Sequence, residues 1–474
     1  MNRKNSNAGN LVNEGGHKAG ASVLKGGLIL GGLMGLSAVA QAQMAPAADD
    51  SLTWHGITLY GIVDLGLQYD THAAPVNDYF PAGTADIIQK NGLGSVTGVT
   101  PNNLSQSRIG LKGAEPLFGD WSAVFKLETF FNPQSGDLSD ALKSLTQNNG
   151  RSLATQTTNI DSSVAGQIFQ QSFVGVSSPT FGTLTFGRQN TLLADGIAKY
   201  DPEAASQAFS LIGLSGTTAG GGDTEDRRLD EPFKYVANFS GAHLGVLYKL
   251  NGASGSANSA FQVQLGGEYA GFSADAYYSK VNDAISVSAL SAAQVTDIEL
   301  LGYSSTNSLS ATVTDNTAYS LMASYSFGAP KIFAGYEHIQ YANPNTDLPV
   351  GFTDIGGYVL AVVNNKPYAG PDKVLQVYWA GLKYGVTPHF DVTIAYYGYS
   401  QNSYATGADA GCSSKTAGSC SGTEQVYSLA GDYRFTKHFD SYLGVMYSGV
   451  KDGLANGYAN TSNINPTIGV RYQF

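Results

Sequence analysis

The chain has 474 residues, and Asp, Glu, Lys and Arg make up only 13% of it, against about a quarter in typical soluble domains. Its formal net charge of −11 argues against nucleic-acid binding, because proteins that bind nucleic acids carry basic surfaces. Glycine (58) and tyrosine (28) are abundant, and the mean hydropathy is slightly negative. This composition excludes a bundle of membrane helices and favours a sheet with one apolar and one polar face. A large secreted β-sandwich or adhesin has a similar composition and is an alternative.

Residues 1–42 have the pattern of a secretory signal peptide. Basic residues precede an apolar run at 26–40, which is too short and too rich in glycine for a membrane-spanning helix. Ala40-Gln41-Ala42 matches an A-x-A cleavage site. We therefore expect a signal peptide at 1–42 and a mature domain at 43–474, rather than a retained N-terminal anchor.

The rest of the chain alternates apolar and polar residues in segments of about ten, which is typical of the strands of a membrane β-barrel. In the first segment Leu59, Val63 and Leu67 share one face, and Tyr60 and Asp64 share the other. Period 2 places the first set toward lipid and the second toward the lumen. Sixteen such segments are predicted, at 57–69, 105–113, 121–131, 168–177, 182–189, 232–239, 242–250, 261–269, 272–281, 317–326, 331–341, 374–385, 390–400, 424–435, 439–449 and 466–474.

Short and long connections alternate between these segments. An even number of strands with both chain ends on one side follows, and such a sheet can close in the bilayer without an unpaired edge. The pattern therefore predicts an all-β fold, a transmembrane antiparallel β-barrel of 16 strands. Fourteen and eighteen strands are the alternatives.

The third long connection, 190–231, is unusual for a compact domain because it is long and has no predicted secondary structure. Sixteen strands enclose a wide aqueous channel, and we expect this third external loop to fold into the lumen and narrow it. The chain ends in Phe474, on the lipid side of an alternating strand. We expect this terminal aromatic residue to be the signal for membrane insertion, with an ordinary amphipathic last strand as the alternative.

Cys412 and Cys420 are the two cysteines of the chain and flank a Ser/Gly-rich segment. In an oxidising compartment they predict a disulfide within one loop. The alternative, a redox pair or half of a metal site, lacks a neighbouring His. The sequence contains no G-x-S-x-G, H-E-x-x-H or C-x-x-C arrangement, so we expect no enzymatic activity, no cofactor and no metal.

Six stretches resemble the general porins of Gram-negative β-proteobacteria and occur in that family's order. They are ITLYGIVDLGL (57–67), SRIGLKGAEPL (107–117), AVFKLETFFN (123–132), FVGVSSPTFGTLTFGRQ (173–189), KYVANFSG (234–241) and GVRYQF (469–474). The resemblance implies a homotrimer of sixteen-stranded barrels in the outer membrane, each pore constricted by the third loop. Two residues depart from the family's pattern: Gln170 stands where a basic residue is common, and Lys126 where an amide is common.

Three basic residues are candidates for one wall of the constriction. Arg108, Lys112 and Lys126 face the lumen by alternation, and this placement is favoured because a lipid-facing Arg or Lys at the midplane costs about 2–4 kcal/mol. Opposed charges across a water-filled gap would orient polar solutes. Further wall residues on the lumen side are Tyr60, Asp64 and Glu128.

The position of Arg188 is ambiguous. Strict alternation places it on the face of Phe186. Either a bulge at Gly187 turns its side chain, or it lies beyond the hydrocarbon region, and the resemblance favours an inward position at the constriction. Arg227 and Arg228 close the third-loop region, and we expect at least one of them to reach the pore.

The opposing acidic wall is expected from the third loop. Asp195, Asp201 and Glu203 lie early in it, and the alternative is that they are ordinary solvated loop carboxylates. The hypothesis is passive diffusion of ions and small hydrophilic solutes through a charged constriction, in contact with outer-membrane lipid and without nucleic acid. The alternatives are a porin with a substrate-specific site, an outer-membrane protease or lipase, and an adhesin or phage receptor.

Overall fold

The computed structural model describes most of the chain after residue 51. The described residues are 52–73, 94–134, 136, 138, 146, 148–152, 168–213, 228–250, 259–355, 358–407, 410–412, 418–456 and 460–474. The predicted signal peptide at 1–42 and Arg227 lie outside them.

Sixteen long strands of the described residues pair side by side in antiparallel order. They are β1 (Ile57–Ala73), β2 (Arg108–Pro116), β3 (Ser122–Phe130), β4 (Gln171–Ser178), β5 (Gly182–Asn190), β6 (Pro232–Phe239), β7 (Ala242–Lys249), β8 (Ala260–Tyr269), β9 (Phe272–Ser288), β10 (Ser308–Ser326), β11 (Pro330–Ala342), β12 (Lys373–Thr387), β13 (Phe390–Gln401), β14 (Gly422–Arg434), β15 (Phe439–Asp452) and β16 (Ser462–Gln473). β16 pairs with β1, from Ile62↔Gln473 to Gln68↔Thr467, so the sheet closes on itself. The predicted barrel of sixteen strands is confirmed, and the alternatives of fourteen and eighteen strands are wrong.

Side chains alternate across the barrel wall, as period 2 requires. In β1, Val63 and Leu67 are 37% and 53% exposed, whereas Asp64 and Gln68 are buried. Because most strands have a more exposed apolar face and a more buried, more polar face, the outer surface suits lipid and the inner surface suits water.

Two of the short connections are two-residue hairpin turns. Ser240-Gly241 and Ala270-Gly271 have positive φ at both positions (53° and 91°, 49° and 85°). This is the geometry of type I′ turns, which match the twist of the paired strands. Glycine at the second position adopts it without steric cost.

β9 and β10 run further than the predicted segments, as far as Ser288 and from Ser308. The pairing register shifts between Val281 and Ala284, and Asp283 has a φ of 53°. A bulge of this kind adds residues to one strand and changes which face the following side chains occupy. The alternation therefore breaks in the sequence although the strand continues.

Helices and short strands occupy parts of the long connections. α1 (Leu192–Tyr200) follows β5, and α2 (Ala292–Leu300) lies between β9 and β10. Among the described residues, no helix has the length and apolarity needed to cross a bilayer. The short strands in these connections are Gly94–Pro101, Arg228–Leu229, Phe352–Ile355 and Tyr358–Asn364, and a further short strand, Leu52–Trp54, precedes β1.

α1 packs its apolar side chains against the strands. Thr191 caps its first turn by accepting a hydrogen bond from the Ala194 amide at 3.1 Å. Ile197 and Tyr200 belong to one buried cluster with wall residues from β7 to β15, among them Trp379 of β12. This packing fixes where the acidic residues of the third loop lie.

Candidate functional site

Side chains from four neighbouring strands meet around the Glu128 carboxylate. Its Oε2 lies 3.2 Å from Lys126 Nζ and 3.8 Å from Arg108 Nη1. Tyr60 OH donates to Oε2 and Gln171 Nε2 donates to Oε1, both at 2.9 Å. Lys126 and Glu128 share a face because they are two residues apart on β3. The structure thus brings four predicted wall residues together, with Gln171 as a partner that was not predicted.

Among the described side chains, three cation–π contacts lie in this region, and two of them involve further basic residues, Lys112 and Arg228. Lys112 Nζ lies 5.3 Å and Lys126 Nζ 5.6 Å from the centroid of the Tyr60 ring. Arg228 is buried, with its Cζ 4.6 Å from the centroid of the Phe130 ring. These distances lie within the range of attraction between a cation and an aromatic face.

Arg188 forms an ion pair with Asp230, with 2.6 Å between Nη1 and Oδ1. The Arg188 side chain is 14% exposed and that of Asp230 is 49% exposed. Gly187 has a φ of 112°, a backbone conformation that favours glycine. This local distortion immediately precedes Arg188. The role of Arg188 at the constriction stays a prediction.

Asp195 lies in the first turn of α1 and is paired with a basic residue of the wall. Lys234 Nζ of β6 contacts Asp195 Oδ2 and also donates to Asn190 O at 2.9 Å. Asn190 Nδ2 donates to Asp195 Oδ1 at 3.0 Å. Lys234 was not predicted as a site residue, although alternation between Phe233 and Tyr235 could have identified it as facing the lumen.

Asp201 and Glu203 are buried where the third loop meets the strands. Asp201 accepts hydrogen bonds from Tyr397 OH at 2.6 Å and from the Ala205 amide at 2.7 Å. Glu203 Oε1 lies 3.5 Å from Ser428 Oγ of β14. Burial raises the pKa of Asp201, and burial together with the Asp201 charge raises the pKa of Glu203 to about 8.

Asp64 is buried where the barrel closes. Its carboxylate accepts from the amides of Leu104 and Ser105 at 2.9 and 2.7 Å, and Tyr442 OH of β15 donates to it. These bonds join β1, the segment before β2, and β15. The geometry fits a side chain that links strands, and a contribution to the pore wall stays a prediction.

Two further predicted features are the pair of cysteines and the C-terminal residue. Cys412 and Cys420 form a disulfide, with their Cα atoms 5.2 Å apart. The backbone of Phe474 exchanges two hydrogen bonds with Gly61 of β1, at 3.0 and 3.1 Å. Among the described residues, no group of three or more His, Cys, Asp and Glu side chains could hold a metal ion.

Comparison with known proteins places this barrel in a family. A family model described as Gram-negative porin matches residues 32–453. An outer membrane porin protein of Bordetella pertussis is 26% identical over 215 residues, which are 45% of this chain and 47% of that protein. The match therefore spans about half the length of this relative.

Solved structures show the same fold at low sequence identity. An anion-selective porin from Comamonas acidovorans has a TM-score of 0.56 at 19% identity, covering 88% of this chain and 99% of that one. OmpT of Vibrio cholerae has a TM-score of 0.53 at 14% identity, covering 90% of this chain and 100% of that one. The chain belongs to the Gram-negative porins, which are channel-forming β-barrels of the outer membrane and not enzymes.

Proposed function

We propose that this outer-membrane porin lets ions and small hydrophilic solutes diffuse passively through a constriction whose charge comes mainly from a basic wall. The basic wall is Arg108, Lys112, Lys126 and Arg228, and we expect it to favour anions. The observation that carries the proposal is the gathering of these side chains around Tyr60 and the Glu128 carboxylate.

The part of the third loop around α1 is proposed to fold into the lumen and form the other side of the constriction, whereas Arg228, near the end of this loop, contacts an aromatic ring of β3 and is counted with the basic wall. Residues of the part around α1 bond with side chains on the inner face of distant strands. Trp379 Nε1 of β12 donates to Tyr200 O at 3.0 Å, and Asn465 Nδ2 of β16 donates to Ala208 O at 3.2 Å. Contacts with strands this far apart around the barrel are expected for a loop inside it.

The two sides of the constriction differ in how much charge they offer to water. Asp195 is paired with Lys234, while Asp201 and Glu203 are buried against the strands. Lys234 offsets Asp195, and burial raises the pKa values of Asp201 and Glu203, which favours their neutral forms.

In the basic wall, Lys126 and Arg228 are also buried, but Glu128 offsets only one of the four positive charges of this wall. The third-loop acids therefore offset the basic wall only in part. The proposal keeps the predicted charged constriction, including an inward role for Arg188, and gives the basic side more weight.

Anion preference is described for one protein of the same fold. The porin from Comamonas acidovorans is described as anion-selective. At 19% identity this likeness establishes only the fold, so the argument for this chain rests on its own basic wall.

Charge reversal in planar bilayers tests the proposal. The wild-type reversal potential in a KCl gradient should indicate chloride preference, and Arg108→Glu with Lys126→Glu should shift it toward potassium. The matched control, Lys366→Glu with Lys437→Glu, reverses two charges outside the sixteen strands and should shift it much less. An unchanged reversal potential in the first variant would refute the basic wall.

We also propose a homotrimer. One solved OmpT structure of Vibrio cholerae is described as a trimer form. On this barrel, exposed aromatic residues occur along strands β5–β15, among them Phe186 and Tyr447. The exposed apolar residues of β16 and β1–β4 are mainly aliphatic, such as Ile464, Leu67 and Val174, with Tyr69 and Tyr472 as exposed aromatic residues. Aromatic residues prefer the membrane interface, so the aliphatic face is the proposed subunit contact. Conductance that closes in three equal steps would support the trimer, and single steps would oppose it.

A further inference from the structure

A second cluster of charged side chains ties the third loop to the wall, away from Glu128. Its centre is the Asp275 carboxylate on the inner face of β9, which is 1% exposed. Two donors come from α1: Lys199 Nζ lies 3.1 Å from Oδ2, and Tyr200 OH bonds to the same oxygen. The other oxygen lies 2.9 Å from His243 Nδ1 of β7 and accepts from Gln264 Nε2 of β8 at 3.1 Å.

This carboxylate therefore joins one end of α1 to three strands at once. A buried carboxylate needs such donors, because an unpaired charge away from water is strongly disfavoured. Tyr200 OH also lies 2.7 Å from Ser273 Oγ, and His243 Nε2 lies 3.5 Å from Glu268 Oε2. Two of the partners of Asp275 thus have contacts of their own, which restrict where Tyr200 and His243 can lie.

The opposite end of α1 is held by different residues. The Leu192 amide donates to Gln262 Oε1 of β8 at 2.8 Å, and Asp195 pairs with Lys234. Between these two attachments, Ile197 packs in the buried cluster. Loss of the Asp275 attachment would remove the side-chain bonds of Lys199 and Tyr200 and leave the C-terminal end of α1 held by the hydrogen bond from Trp379 to Tyr200 O and by packing. This end, which precedes Asp201 and Glu203, could then shift more easily than the N-terminal end.

We propose that Asp275 is the positioning residue of the third loop, and that it fixes the width of the constriction by anchoring the C-terminal end of α1. The proposal rests on the proposed position of that loop in the lumen. Asp275 holds the loop that bounds the path of the solute. Weakening the anchor makes the open channel fluctuate between widths and lets it close at a lower voltage.

Single-channel recording of the full barrel tests the anchor. Asp275→Asn keeps the shape of the side chain but replaces one acceptor oxygen by an NH2 group. We expect the open-channel current noise to rise about threefold or more, because a segment that has lost an attachment moves more. Asp275→Glu keeps the carboxylate, and its open-channel current should be much steadier than that of Asp275→Asn. Asp440→Asn is the control, because it neutralises another buried wall carboxylate whose bonds go to Arg471 and Gln473 of β16.

A second variant separates anchoring from a change in wall charge. Lys199→Met with Tyr200→Phe removes the two donors of α1 and leaves Asp275 and its strand partners in place. This variant should show the same increase in current noise and the same closure at lower voltage. It therefore tests the anchor even if Asp275→Asn fails to fold. Steady currents in it, or equal noise in Asp440→Asn, would overturn the proposal. The reversal potential is measured on the same channels, so a wild-type channel without anion preference would refute the proposed function and leave the noise comparison readable.

Discussion

The Glu128 carboxylate offsets part of the positive charge that surrounds it. Glu128 lies within 4 Å of both Lys126 and Arg108, so its charge lowers the potential of the basic wall. Glu128→Gln should raise the permeability ratio of chloride to potassium by about twofold or more. The control is Glu115→Gln, which removes the same charge at an exposed position of β2. Equal ratios in the wild type and Glu128→Gln would mean that this carboxylate does not influence the permeating ions.

Glu203 should make the stability of the barrel depend on pH. Its pKa is raised by burial and by Asp201 from 4.5 to about 8, so the folded state holds a proton that the unfolded state releases. The contribution of protonated Glu203 to the free energy of unfolding is therefore complete below about pH 4.5 and decreases as the pH rises toward 8. Glu203→Gln should stabilise the barrel at pH 8, on the order of 1–4 kcal/mol, and change little near pH 4. The unfolding temperatures of the wild type and Glu203→Gln can be compared at both pH values by gel electrophoresis after heating. An equal difference between the two proteins at both pH values would contradict the prediction.

Alternation identified which wall residues share a face, but not how they pair. Arg108, Lys126 and Glu128 could be assigned to the lumen because each strand position has only two orientations. The burial of Asp201 and Glu203 could not be predicted in the same way. Loop backbones have no such period, and the positions of these carboxylates follow from contacts with strands far along the chain.

Among the elements, the strands were predicted, whereas the helices of the long connections were not. Each strand has its own alternation and turn residues, so sixteen segments could be placed one by one. α1 depends on a wall that forms elsewhere in the chain, as the contact between Tyr200 and Trp379 illustrates. α2 carries a local signal that could have identified it, since Ser291 and Gln294 form a capping box.

The distortion at Gly187 is an element-scale feature with a testable cost. Its φ is 112°, and a Cβ at this position would lie 2.4 Å from Ser172 O of β4. Gly187→Ala should destabilise the barrel by about 1–3 kcal/mol, from strain and from that contact. Unfolding in urea after refolding into detergent measures this. Gly94→Ala is the control, because a Cβ there meets no described atom within 4 Å, and equal losses in both variants would contradict the argument.

At the scale of the whole molecule, closure depends on pairing between the first and last strands. Phe474 bonds to Gly61 through its backbone, and we propose that its side chain also serves as the insertion signal. Deletion of Phe474 should lower the amount of barrel in the outer membrane of cells about tenfold, while purified chain refolds in detergent with modest loss because the other pairs of β1 and β16 remain. Equal losses in cells and in detergent would assign Phe474 a structural role alone.

The barrel as a whole was predictable because lipid on one side and water on the other impose one period on every strand. The selectivity of the pore was not predictable, because it depends on which charges the folded chain pairs and which it leaves facing the solute. Lys234 illustrates this, since its pairing with Asp195 removes an acid from the expected opposing wall.

The reversal potential of the wild-type channel across a KCl gradient tests the central claim most directly. The basic wall predicts a potential with the sign of chloride preference, which weakens as total salt rises and screening increases. A potential of zero, or one with the sign of potassium preference at low salt, would contradict the account.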